Sequence, residues 1–130
     1  MEFNRLIPEC SVFDIKQTQD FYEKLGFKIE YEWKEDKFVF MSFQDSQFMF
    51  EQIHDDGWNT GEWNYLLGRG INFSIAADHV EELYELATNE QIEIYRELTR
   101  SAYVVQGGVV EEQIEFLIQA PNGYLLRFTN

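Results

Sequence analysis

Apolar and polar positions change period several times along the chain, and each change marks a predicted element. Residues 6–13 form a short, mostly apolar run that suits a buried strand. Asp14 follows, with Gln17 three residues on, the spacing of a capping box at a helix start. Thr18, Phe21, Tyr22 and Leu25 then recur at i, i+3, i+4 and i+7, and Gly26 stands where a helix end accepts a left-handed residue. Strand-like runs follow at residues 27–34, 37–43 and 47–53, the last two joined by the polar turn Gln44-Asp45-Ser46. The order is β-α-β-β-β.

The second half repeats that order. Ile71, Phe73 and Ile75 alternate with Asn72, Ser74 and Ala76, the period of a half-buried strand over residues 71–77. Asp78 and Glu81 form a second capping box, and Val80, Leu83, Tyr84 and Ala87 renew the helical stripe. Further strands fit residues 92–98, 111–119 and 124–129, with Gly107-Gly108 as one turn and Ala120-Pro121-Asn122-Gly123 as another. Phe21-Tyr22 and Leu83-Tyr84 hold matching places in the two helices, so the chain reads as one module used twice. The predicted fold class is α+β, with two tandem βαβββ modules whose sheets wrap around a cleft. Module 1 takes about residues 5–53, a linking loop residues 54–70 and module 2 about residues 71–130, together one domain over 1–130.

Composition narrows the partners. A chain of 130 residues can bury a core without a disulfide or metal, and Cys10, the single cysteine, reads as a small buried hydrophobe. Ten Lys+Arg against 24 Asp+Glu give a net charge of −14, which repels phosphate backbones and anionic membrane surfaces. Neither nucleic acid nor membrane is therefore an expected partner. No basic and apolar leader and no membrane-length apolar run occurs, so the expectation is a soluble, cytoplasmic, acidic protein. Aromatic residues reach 17%. Aromatics beside acid admit two readings, a large core under an acidic surface or a site for something flat and positive.

The run Ile7-Pro8-Glu9-Cys10-Ser11-Val12-Phe13-Asp14, then Asp20-Phe21-Tyr22-Glu23-Lys24-Leu25-Gly26-Phe27, resembles the first module of the vicinal oxygen chelate superfamily. Gly68-Arg69-Gly70-Ile71-Asn72-Phe73 and Pro121-Asn122-Gly123-Tyr124-Leu125-Leu126-Arg127-Phe128 resemble it as well, so the likeness runs from Leu6 to Phe128. Within the superfamily the chain is most similar to the bleomycin-resistance proteins. The resemblance implies the glyoxalase/bleomycin-resistance-like fold and a homodimer whose grooves, shared by two subunits, capture an antibiotic with a planar bithiazole and a cationic tail. Such antibiotic resistance works by sequestration and needs no chemistry.

Metal-using members of the superfamily draw one ligand, usually His, Glu or Gln, from each of four strands. The resemblance puts those positions at Ile7, Glu51, Asn72 and Arg127. Isoleucine cannot ligate, asparagine is a poor ligand without carboxylates beside it, and arginine is a permanent cation. One usable ligand does not hold a catalytic divalent ion, so no metal, no cofactor and no enzymatic activity are expected. His54, at a loop entrance, and His79, near a helix start, read as exposed polar residues.

Alternation extends the cleft face from those four positions to Glu9, Ser11, Met49, Ser74 and Leu125. It sends Leu6, Cys10, Val12, Phe48, Phe50, Phe73, Ile75, Leu126 and Phe128 to a core under the helices. Glu51 is expected to pair with Arg127, leaving Glu9 to attract a cation; alternatively the three satisfy one another. Residues 37–43 are apolar on both faces, with Phe38 and Phe40 together on one. Residues 54–70 form a long connection carrying Trp58, Trp63 and Tyr65, and aromatic-rich loops of that length are seldom disordered. Trp33 ends a strand beside Glu32, Glu35 and Asp36. The candidate ligand-binding set is Glu9, Trp33, Phe38, Phe40, Glu51, Trp58, Trp63, Asn72, Tyr103 and Arg127, aromatic faces for stacking and carboxylates for charge. For Trp58 and Trp63 a dimer interface is the open alternative.

The leading expectation is thus a metal-free small-molecule-binding protein, dimeric, that sequesters a bleomycin-like cationic aromatic antibiotic. The alternatives are a lyase, isomerase or dioxygenase of the same fold with an unconventional metal site, and an interaction module whose acidic face docks a basic protein.

Overall fold

The computed structural model describes residues 1–130 as two units, Met1–Arg69 with Pro121–Gly123 and Gly70–Ala120 with Tyr124–Asn130. The first holds β1 (Glu9–Val12), α1 (Ile15–Lys24), β2 (Lys28–Trp33), β3 (Phe38–Phe43) and β4 (Ser46–Gln52). Asp14 starts α1 as its spacing predicts: its backbone is extended and its carboxylate accepts from the Gln17 N–H at 3.0 Å. At the other end the Phe27 N–H returns to the Tyr22 carbonyl at 3.1 Å while Gly26 takes φ +99°, the left-handed conformation that ends a helix.

Strand order in the first sheet is β1-β4-β3-β2, with β1 parallel to β4 and the other pairs antiparallel. The face under α1 is aromatic. Tyr22 from the helix lies 4.5 Å from Phe50 and 5.0 Å from Phe27, ring centre to ring centre, and Phe27 stacks on Phe43 at 4.9 Å. Burying one such ring contributes about 1.5–3 kcal/mol, more than the about 1 kcal/mol of a helix cap, so packing rather than capping holds α1 on the sheet.

The second unit holds β5 (Asn72–Ala76), α2 (Val80–Asn89), β6 (Ile94–Val104), β7 (Val110–Gln119) and β8 (Leu125–Thr129). Its sheet order, β5-β8-β7-β6 with β5 parallel to β8, repeats the first element for element. Ile75, Phe116, Ile118, Leu126 and Phe128 are buried, together with Val80, Leu83 and Ala87 from α2. Two tandem βαβββ modules are therefore present, as the doubled periodicity predicts. No helix is long and apolar enough to cross a membrane.

Four expectations need correction. Leu6, expected in the core, is 80% exposed, because β1 begins only at Glu9 and the preceding residues run outside the ladder. Phe73, near the start of β5, is only half-buried, while Ile75 two residues on is buried. Helix α2 has its N-cap at His79, in the left-handed conformation with no side-chain cap bond, rather than at Asp78. Strand β6 continues six residues beyond 98, pairing with β7 up to a turn in which Gly107 and Gly108 take φ +86° and +78°. The Gly107-Gly108 turn itself stands where it was expected.

Candidate functional site

Strand register in the first unit assembles one row of side chains across the open face of the sheet. Trp33 lies opposite Phe38, Phe38 opposite Glu51, and Glu51 opposite Ser11. The neighbouring row runs Tyr31, Phe40, Met49, Glu9. Residues in register share a face, so β2 and β3 make an aromatic half and β4 and β1 an acidic half. The aromatic half is a continuous stack: Trp33 on Phe38 at 4.8 Å and Tyr31 on Phe40 at 5.1 Å.

The first row opens into a groove of about 980 Å³ within the first unit. Trp33, Phe38 and Trp58 give it aromatic surface, and Glu9, Glu35, Asp36, Glu51 and Asp56 line it with carboxylates against the cation Lys37, with the His54 imidazole beside them. Ser11, Gln52, Ile53, Gly57 and Asn59 complete the lining. Phe38 is buried beneath the stack, whereas Trp33 is 56% and Trp58 93% exposed. Two broad indole faces thus meet water beside a carboxylate surplus, the arrangement that attracts a flat cation by stacking and charge together.

The wall carrying Trp58 is a loop braced by hydrogen bonds. His54 Nε2 stands 2.9 Å from Glu51 Oε1, an ion pair when the imidazole is protonated. The Gly57 N–H donates to the His54 carbonyl at 3.1 Å, and the Asn59 side-chain amide donates to the same carbonyl at 3.0 Å. Asn59 Oδ1 in turn accepts from Trp63 Nε1 at 2.8 Å. A Cβ at Gly57 would stand 3.3 Å from the His54 carbonyl oxygen, so the turn before Trp58 has little spare room.

Charge within the groove is frustrated. Partial burial, and then the negative charge of Glu51, push the Glu9 carboxyl above its ordinary value of 4.5. A cation arriving there would relieve that repulsion. Next to it, burial and the Glu9 charge push the Cys10 thiol up to about 12, so Cys10 is an inert part of the core rather than a nucleophile.

Of the ten expected site residues, the structure gathers Glu9, Trp33, Phe38, Glu51 and Trp58 in this groove. Phe40 lies on the same face but is 1% exposed, because Phe3 packs edge-on against it at 5.5 Å. Trp63 is half-buried and held by Asn59. Asn72, Arg127 and Tyr103 belong to the second unit, on β5, β8 and the exposed outer part of β6. Within their own units, Glu51 meets His54, and Arg127 Nε lies 4.0 Å from Glu115 Oε2. His54, Asn59 and Lys37 were not in the sequence-derived set. His54 sits three residues past Glu51, a spacing that carries meaning only once the loop is seen to fold back. No group of three or more His, Cys, Asp and Glu side chains is placed to hold a metal ion.

Comparison with known proteins places this geometry among solved structures. A glyoxalase/bleomycin resistance protein/dioxygenase from Alicyclobacillus acidocaldarius is 25% identical, with 97% of this chain and 89% of that chain covered and a TM-score of 0.68. A protein from the mobile metagenome of V. pseudocholerae is 19% identical over 99% of this chain and 95% of its own, at a TM-score of 0.70. A bleomycin-binding protein solved in complex with bleomycin is 19% identical over 98% of each chain, at 0.65. No protein-family model and no curated protein sequence matches the chain.

Proposed function

The chain belongs to the glyoxalase/bleomycin-resistance/dioxygenase superfamily, and from that premise we propose that it is a non-enzymatic small-molecule-binding protein whose first-unit groove sequesters a flat, cationic aromatic compound of the bleomycin type. One observation carries the reading: the row Trp33, Phe38, Glu51, Ser11, which sets stacked rings directly beside carboxylates on one sheet face. Each cation–π contact contributes about 0.5–2 kcal/mol, so several contacts and the acidic lining must act together to reach useful affinity. Sequestration asks for nothing more than that. The reading includes a homodimer, which the exposed apolar residues Tyr103, Val104, Val109 and Val110 on the β6–β7 hairpin support.

Titration of the chelator-treated protein with metal-free bleomycin, followed by tryptophan fluorescence at two salt concentrations, tests the proposal. Saturable quenching that weakens with salt is expected, because Trp33 and Trp58 line an acidic groove. Absence of any response would remove bleomycin-type compounds as the ligand.

A further inference from the structure

The open face of the second sheet repeats the plan of the first with the charge reversed, and we propose that it binds an organic anion, a carboxylate or phosphate monoester carried on an apolar body. In the row that matches Trp33, Phe38, Glu51 and Ser11, the second unit sets Arg96 opposite Leu117, Leu117 opposite Arg127 and Arg127 opposite Ser74. Arg96, Arg100 and Arg127 are the only Lys or Arg residues in positions 70–130, and two of the three stand in this row. The register of β6 breaks on both sides of Arg96, and such bulges re-aim side chains.

Glu115, two residues from Leu117 on β7, lies between the two guanidinium groups. Its Oε1 is 3.9 Å from Arg96 Nη1 and its Oε2 is 4.0 Å from Arg127 Nε. Both distances are attractive but too long for hydrogen bonds. The carboxylate is 9% exposed, yet its Oε2 and the Arg127 Nε–H both lack a hydrogen-bond partner. Arg100 shows what neutralisation looks like on the same strand: one guanidinium served by two carboxylates, Glu81 and Glu112. Around Glu115 the ratio is inverted, with two guanidiniums to one carboxylate and a net positive charge.

That geometry suits an anion. Each guanidinium offers five donors in a planar fork that matches carboxylate or phosphate oxygens, and Glu115 leaves most of them free while drawing both forks toward Leu117. Half-buried Leu117 and Leu125 provide an apolar floor, and exposed Asn72 and Ser74 a polar edge. An anionic head above Leu117 comes within reach of both arginines while its apolar body covers the leucines.

The test uses 4-phenylbutyrate and phenyl phosphate, with 4-phenylbutyramide as the neutral control and inorganic phosphate as the anion without a body. Binding is read by calorimetry and by the Nε–Hε NMR signals of Arg96 and Arg127. At least one organic anion is expected to bind saturably and shift those signals while the amide does not, and the tighter of the two identifies the head group. Arg96→Gln and Arg127→Gln are each expected to weaken binding about tenfold. Arg96 is the more exposed of the two, so its variant carries the test if Arg127→Gln does not fold. Failure of both anions to bind, equal binding of the amide, or unchanged affinity in Arg96→Gln overturns the proposal. Inorganic phosphate binding as tightly as phenyl phosphate overturns the apolar body.

Discussion

At Glu9, loss of water and the neighbouring Glu51 both disfavour the ionised form. A carboxyl whose folded value is raised contributes stability that is complete below its ordinary value of 4.5 and is lost as pH climbs through the raised one. At neutral pH the charged group is therefore a cost, which a bound cation would offset. Glu9→Gln is expected to raise the urea midpoint at neutral pH, with the gain shrinking as the pH approaches 4.5. A lower midpoint at neutral pH would contradict the repulsion. The sequence placed Glu9 on the face of Glu51 by strand alternation extended from positions that the family resemblance supplied. It did not show that Phe3 lies over Phe40, because a contact between residues far apart in sequence leaves no periodic trace.

Among the elements, Asn122 ties a strand end, a helix and the loop together. Its Oδ1 accepts from the Phe13 N–H at 2.9 Å, its Nδ2 donates to Thr18 Oγ1 at 3.2 Å, and its carbonyl accepts from the Leu67 N–H at 2.8 Å. Gly123 beside it has φ +114°, and a Cβ there would stand 2.7 Å from the Leu67 nitrogen. Only glycine fits such an approach. Asn122→Ala would remove both side-chain hydrogen bonds, to the part-buried Phe13 N–H and to Thr18, and is expected to cost about 1–3 kcal/mol by chemical denaturation. An unchanged midpoint would show that another group replaces the amide. The turn at 120–123 was legible from Pro-Asn-Gly, but its service to α1 and the loop was not, since turn chemistry does not say what the turn touches. Capping spacing worked for Asp14 and misplaced the start of α2. Period-2 alternation likewise ended β6 too early, because its outer half pairs with β7 as a ribbon whose residues are mostly exposed.

For the whole molecule the dominant quantities are the net charge of −14 and the doubled module. The duplication was legible because two helices of the same stripe, each followed by three strands, force the same sheet order. The groove was half legible. Residues on strands came from the family resemblance and alternation together, whereas His54 and Asn59 act through loop hydrogen bonds that no spacing rule predicts. The central claim, that stacked rings beside carboxylates in the first unit hold a flat cation, depends on the sign of the charge at Glu9. Calorimetric titration of wild type and Glu9→Lys with metal-free bleomycin at low salt tests it most directly. The predicted result is saturable binding by the wild type and a loss of about a hundredfold or more in Glu9→Lys. Equal affinity in the two proteins, or no binding by either, would contradict it.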